Sequence, residues 1–408
     1  MADEIHVFSS THTYAPVLTG ETGKLVDLLT AVLVDGYTAQ SVASITRSGT
    51  TATVTVSGGH GLVSGQWATI AGADQGDYNG RFQVTVSSST VFTYTVANSP
   101  TTPATGTITA RRASAGWNLE FSGTNKAAYR SPNNASQRHL LRVLDDASLG
   151  GGAKEASWRG YVSMSDVDTG SEPFPTSAQA SAGLYVQKST TANSTARGWL
   201  VFANDKTFYL IVSNGSTTLV YGFGHFNSRK AGDGYNTFIA AAPSSNTTTG
   251  SGAGTGVMCG VNLNHDATYN STSGTLYVPR ITAQTGTSSR HATYSLGAAQ
   301  TGDYVNMHGF KSSNQGNGFA VPSANADGGL YIVPLLLLEL ASSQNHIIRG
   351  ALPGVYANAC GQASVSSGTT STGVVELPGR SLYHQDTSSV QAIGGGTGQL
   401  LFDSTGPW

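Results

Sequence analysis

Charge is what this sequence has least of. Lys, Arg, Asp and Glu make up 11% of its 408 residues, against about 25% in an average soluble protein. The formal net charge is −2 and the basic residues are scattered, so there is no electrostatic footprint for nucleic acid. Cysteine is nearly absent. Cys259 and Cys360 lie far apart and outside any Cys-x-x-Cys spacing, which fits two buried, reduced thiols and offers neither a zinc site nor a required disulfide. Long apolar runs are missing too. The most apolar stretch, Tyr331 to Leu340, holds Pro334 and Glu339 and falls well short of the roughly 20 residues of a spanning helix. It reads as core strand, and no membrane insertion is expected. The opening Met-Ala-Asp-Glu-Ile-His carries acidic residues where an export signal carries basic ones, so secretion by that route is not expected. The Asn-x-Ser/Thr sequons at Asn134, Asn193, Asn214, Asn246 and Asn270 then follow from composition alone.

What the chain has instead is glycine, 51 residues of it, and a polarity carried by Ser, Thr, Asn and Gln. Hydroxyls and amides need a hydrogen bond when buried but no counter-charge. A surface of this kind suits close packing against other subunits.

One segment has helical periodicity: Leu25, Leu28, Leu29, Val32 and Leu33 fall on one face, with Thr22 as the expected cap and Gly36 as the expected stop. From Gln40 to Arg112 the period changes to two, in Thr51-Ala-Thr-Val-Thr-Val-Ser57, Arg81-Phe-Gln-Val-Thr-Val-Ser87 and Thr90-Val-Phe-Thr-Tyr-Thr-Val96. Turn residues separate about six short strands, the spacing of a small sandwich or barrel. Residues 40–112 are therefore expected to be a small all-β module inserted into a discontinuous main domain of residues 1–39 and 113–408. The main domain repeats the strand pattern in Gly183 to Gln187, Gly198 to Phe202, Thr207 to Val212 and Thr218 to Gly222, with turns at Asn204-Asp205 and Ser213 to Ser216. The expected fold is mainly β: an antiparallel sandwich or barrel-like main domain with one N-terminal helix. Ala240 to Gly256, almost wholly small and polar, reads as a mobile loop or interface arm. No heptad or fixed-period repeat supports a fibre shaft.

Motifs that carry chemistry are sparse. His60 sits between glycines without an acidic or cysteine neighbour and reads as a turn histidine. Asp166 and Asp168 lack the remaining ligands of an EF-hand loop and read as a capped turn. Asp145-Asp146 and His265-Asp266 are common dipeptides, and Gly250-Ser-Gly-Ala-Gly-Thr-Gly256 lacks the spacing of a nucleotide fingerprint. No catalytic residue, cofactor site or metal ligand is expected, and the chain reads as a non-enzyme. A glycan-cleaving protein would need two close carboxylates, and repeats of the parallel β-helix kind are not evident. A carbohydrate binder would use Trp67, Trp117, Trp158 or Trp199 as stacking faces. At the C-terminus a strand at Gln399 to Asp403 runs into Ser404-Thr-Gly-Pro-Trp408. Trp408 is expected in a groove of its own domain or of a neighbouring subunit, and is the candidate interface residue.

Gly59-His-Gly-Leu-Val-Ser-Gly-Gln-Trp-Ala-Thr-Ile70, with Asp77-Tyr-Asn-Gly-Arg-Phe82 and the strand from Val91 to Val96, resembles a small β module that recurs in tail, baseplate and fibre proteins of tailed bacteriophages. The flanking chain is similar to a family of phage virion structural proteins through four segments. These are Trp117 with Phe121-Ser-Gly-Thr-Asn-Lys-Ala-Ala-Tyr-Arg130, Ser163-Met-Ser-Asp-Val-Asp-Thr-Gly170, Pro173-Phe-Pro175 and Leu400-Leu-Phe-Asp-Ser-Thr-Gly-Pro-Trp408. The resemblance implies a structural component of the particle, tail-, baseplate- or neck-associated. It would be made in the bacterial host cytoplasm and built into the virion through copies of itself and other virion proteins. Alternatives are a receptor-binding tail adhesin for a host surface glycan, a capsid decoration protein and, last, a glycan-degrading tail enzyme.

Overall fold

The structure, a computed structural model, describes residues 4–242, 275–294, 304–305, 311–312, 332–340, 346–358, 366–374, 377–391 and 397–408. It is mainly β, built of antiparallel sheets with one short helix. The helix Lys24–Thr30 continues as a π-helical turn, Ala31–Asp35, and stops at Gly36, whose φ of 82° favours glycine. Leu25, Leu28, Leu29, Val32 and Leu33 are all fully buried, as their spacing requires. The expected cap at Thr22 is not used. Gly23 occupies the cap position without a side-chain bond, and the first-turn donors are satisfied from far away. Asp145 accepts Leu25 N–H on Oδ2 at 2.7 Å and Gly23 N–H on its carbonyl at 3.0 Å. An orphan N–H at a helix start takes any well-placed acceptor in the fold, so sequence neighbours alone do not decide the cap.

The main domain has three layers. Its middle is an antiparallel meander of Gly198–Ala203, Thr207–Ser213 and Thr218–His225. Asn204 and Asn214 form the turns, each accepting two backbone N–H groups on its side-chain oxygen at 2.8 to 2.9 Å. One face of the meander, with Val201, Phe208, Leu210, Val212 and Phe223, packs on the helix and on Trp117, Tyr129, Leu141 and Trp158. The other face, with Phe202, Tyr209, Ile211 and Val220, packs on Leu335, Leu337, Leu352, Val355, Leu400 and Phe402. This explains the unbroken apolar run in Thr207–Ser213. An antiparallel strand alternates only when one face is wet, and here neither is.

The first outer layer is a six-stranded sheet running from Asn118–Gly123 to Gly170–Phe174, with Leu184–Gln187 paired to Glu155–Met164. The second is the return of the large sheet itself, thirteen strands among the described residues. That sheet curls until Phe202 on Gly198–Ala203 stacks on Phe402 of Thr397–Asp403, ring centroids 5.1 Å apart. The apolar stretch ending at Leu340 is the strand Ile332–Leu340, with Leu335, Leu336, Leu337 and Leu338 buried. No helix among the described residues is long and apolar enough to cross a membrane.

Residues 40–112 form two four-stranded sheets closed over their own core, which includes Ile45, Val54, Ile70, Tyr78, Phe92 and Tyr94. The run Arg81 to Ser87 is not one strand. Gly80–Gln83 pairs with Trp67–Ala73 in one sheet, and Thr85–Val86 pairs with Val91–Thr95 in the other. Val84, buried between them, marks the crossing from sheet to sheet, so one alternating run serves two layers of a sandwich. The unit enters and leaves through paired strands, with Gln40 opposite Ala110 and Ser41 opposite Thr109. Arg81 ties it to the main domain through Glu4 (3.0 Å) and the Ser114 carbonyl (2.7 Å).

Candidate functional site

The C-terminal segment is organised by Asp403. Its Oδ1 accepts the N–H and hydroxyl of Thr405 and the N–H of Gly406 at 2.8 to 3.0 Å. Arg380 donates to its Oδ2 at 2.5 Å. This turn carries Trp408 back onto its own chain. The indole N–H donates to the Asp403 carbonyl at 2.9 Å, and the ring lies 5.6 Å from that of Tyr209. Gly354, at φ 67°, forms the floor: a Cβ there would come within 2.4 Å of the indole. Trp408 thus sits half-buried on the second core, in a groove of its own domain. Deleting residues 404–408 is expected to lower stability by about 2–3 kcal/mol, from partial burial of an indole at about 25 cal/mol per Å². Thermal melting checks this, and an unchanged midpoint would mean that the groove holds nothing of consequence.

The other residues singled out above fall mostly into structural roles. His60 is buried, accepts Leu62 N–H on Nδ1 at 3.0 Å, lies 2.8 Å through Nε2 from the Ser88 carbonyl and packs edge-on to Phe92. Asp166 closes a turn by accepting the N–H groups of Asp168 and Thr169. Asp168 pairs with Arg142 at 2.7 Å and with Lys126. Trp117, Trp158 and Trp199 are core residues, and the first and last donate to the carbonyls of Asn204 and Pro16. Trp67 is half-exposed. Cys259, Cys360, His265, Asp266, Asn246, Asn270 and the Gly250 to Gly256 run lie outside the described residues, as does nearly all of Ala240 to Gly256. Among the described residues no three His, Cys, Asp or Glu side chains are placed to hold a metal.

Two buried ionic clusters escaped the sequence reading. In the first, Lys188 and Asp145 form a fully buried pair, and Lys188 also donates to the Glu21 carbonyl at 2.6 Å. In the second, Arg349 donates to both oxygens of Asp233 at 3.2 Å and lies 3.9 Å from Glu339. Glu339 in turn accepts Thr282 N–H at 2.6 Å and faces His291 at 3.5 Å. Burial pushes the Glu339 carboxyl up, but the bonds from His291 and Thr282 outweigh it and hold it at about 2. Burial pushes His291 down. The available signal was a charge inside an apolar run: Glu339 among leucines and Arg349 beside Ile347 and Ile348.

One hydroxyl–imidazole pair has the outline of a nucleophile and its base. His384 Nε2 lies 2.8 Å from Ser371 Oγ, and its Nδ1 lies 3.5 Å from the Gln399 amide oxygen. The ring is sealed, and the third partner is a neutral amide in place of an orienting carboxylate. What the contact does is staple the edge strand Thr370–Thr372 to Ser381–Gln391, with which it pairs. No protein-family model matches this chain, and no curated protein matches it.

Proposed function

We propose that the chain is a non-enzymatic structural component of a tailed bacteriophage particle, associated with its tail, baseplate or neck, and assembled through symmetric contacts with copies of itself and other virion proteins. The observation that carries this reading is the segment from Gly59 to Val96. Its sequence resembles the phage tail module, and it lies within a small sandwich with its own core. The distribution of charge supports the same reading. Several ionic side chains are paired within the chain, Lys188 with Asp145, Arg349 with Asp233, Arg380 with Asp403, Arg130 with Glu120 and Arg280 with Glu172. Most of the chain's polarity is carried by hydroxyls and amides, which suits extended subunit contact.

Antibody labelling of purified particles in the electron microscope tests the proposal. Label on the tail body, baseplate or neck is the expected result, together with a homo-oligomer or ring by light scattering. A strict monomer absent from purified particles would remove it.

A further inference from the structure

We infer that the edge of the small sandwich, where the hairpin of Trp67–Ala73 and Gly80–Gln83 meets Thr85–Val86, binds a neutral oligosaccharide. The strand Trp67–Ala73 sends Ala68 and Ile70 into the core, so Trp67 and Thr69 stand on the opposite face. Register then sets Gln83 beside Trp67 and Arg81 beside Thr69. Trp67, Arg81 and Gln83 border an open depression of about 460 Å³, within the size range of small-ligand sites. Gly65, Phe82 and Val84, with Thr85 and Thr95 of the second sheet, complete its lining. Phe82, opposite Ala68 on the core face, stacks on Tyr94 at 4.2 Å, which fixes the strand that carries Gln83 before a ligand arrives.

The chemistry of the lining selects the ligand class. Trp67 differs from the other four tryptophans, three of which are core and one of which is folded onto the second core. Its indole N–H has no acceptor among the described residues, a lack it shares with Trp158, which is sealed in the core, whereas Trp117, Trp199 and Trp408 each donate to a carbonyl. A half-exposed ring with a free N–H suits a ligand with an apolar C–H face and a hydroxyl rim, which is the surface of a pyranose. Gln83 spends its amide N–H on the Gly65 carbonyl at 2.9 Å, which holds the side chain in place and leaves its oxygen to accept a hydroxyl. Thr85 and Thr95 add hydroxyls that both donate and accept.

Charge excludes the neighbouring classes. Arg81 is the one ionic side chain in the lining, and Glu4 at 3.0 Å already neutralises it. An anionic ligand therefore gains little there. The lining has no carboxylate, so the paired acids of glycoside hydrolysis are lacking and the face binds without cleaving. Gly80–Gln83 is also an edge strand of its sheet, which leaves room for a chain of sugars to run past it.

Maltohexaose, cellohexaose and chitohexaose titrated into the full chain, followed by tryptophan fluorescence and calorimetry, test this site. At least one is expected to bind saturably with a shift in Trp67 emission and no release of reducing ends. Trp67→Ala should weaken that binding at least tenfold and Gln83→Ala severalfold. Gln83 is exposed, so its variant keeps the test open if Trp67→Ala does not fold. No saturable binding of any of the three below about 10 mM, or binding unchanged in the variants, would overturn the inference. The measurement uses the isolated protein, so its outcome is independent of where the particle carries the chain.

Discussion

Replacing Lys188 with alanine is expected to cost about 3–5 kcal/mol of stability, the penalty of leaving a buried charge without its partner. Both members of the Lys188–Asp145 pair are sealed from solvent. Burial pushes the Lys188 ammonium down and the Asp145 carboxyl up, so each depends on the other to stay charged. Asp145 also holds the start of the helix through Leu25 and Gly23, and Lys188 holds the Glu21 carbonyl beside it. One substitution therefore reaches three segments distant in sequence. The double variant Lys188→Met with Asp145→Leu should recover much of the loss, because an apolar pair of similar volume has no desolvation penalty, and should forfeit the bonds to Leu25 N–H and to the Glu21 carbonyl. Urea unfolding of the wild type, both single variants and the double variant measures the coupling. A Lys188→Ala protein within about 1 kcal/mol of wild type would show that the pair is dispensable.

Acidification is expected to weaken the fold well before most carboxylates titrate. Burial pushes His12, His139 and His225 down from 6.5 to about 4, with Arg112 adding to the effect at His12 and Lys206 at His225. Between those values the unfolded chain takes up protons that the folded chain refuses. The contribution is therefore fully present above pH 6.5 and is lost as pH falls toward 4. For His139, which is buried against Phe174 and Tyr235 and bonded to Thr237 at 2.9 Å, the shift corresponds to about 3 kcal/mol. Glu339 acts in a lower window. Its carboxyl is held at about 2 against an ordinary 4.5, so its share persists until pH 4.5 and disappears toward 2. Melting temperature followed from pH 7.5 to 3 should fall steadily below 6.5, and His139→Gln should flatten part of that slope. A flat profile down to pH 4.5 would contradict the buried neutral histidines.

Periodicity made the helix and the strands of the inserted unit legible, because burial on one face imposes a repeat on the residues themselves. Leu25 through Leu33 and Thr51 through Val56 illustrate this. It does not encode what lies opposite. Thr22 was a reasonable cap by local rules, yet the acceptor came from Asp145, 120 residues from Leu25. Trp117, Trp158 and Trp199 read as well for stacking as Trp67 does, and their burial follows from layers assembled over long separations. The ionic clusters were hidden for the same reason. Arg349 and Asp233 stand 116 positions apart, and a lone charge in a strand does not name its partner. Arg81 to Ser87 failed in a different way, since alternation continues unbroken while the chain changes sheets.

The neck of the inserted unit has a consequence for how such a chain can vary. Gln40 and Ala110 face each other across a ladder, and just beyond them Tyr37 N–H donates to the Arg112 carbonyl at 3.2 Å. The two crossing points are thus about one strand spacing apart, near 4.8 Å. Closing a flexible loop grows costly with its length, though slowly, but here the guest closes its own ends by folding. To the host the insertion is topologically a hairpin. Any guest whose termini emerge as adjacent antiparallel strands meets the same boundary condition, so the socket permits exchange of cassettes while the two cores of the host keep their packing.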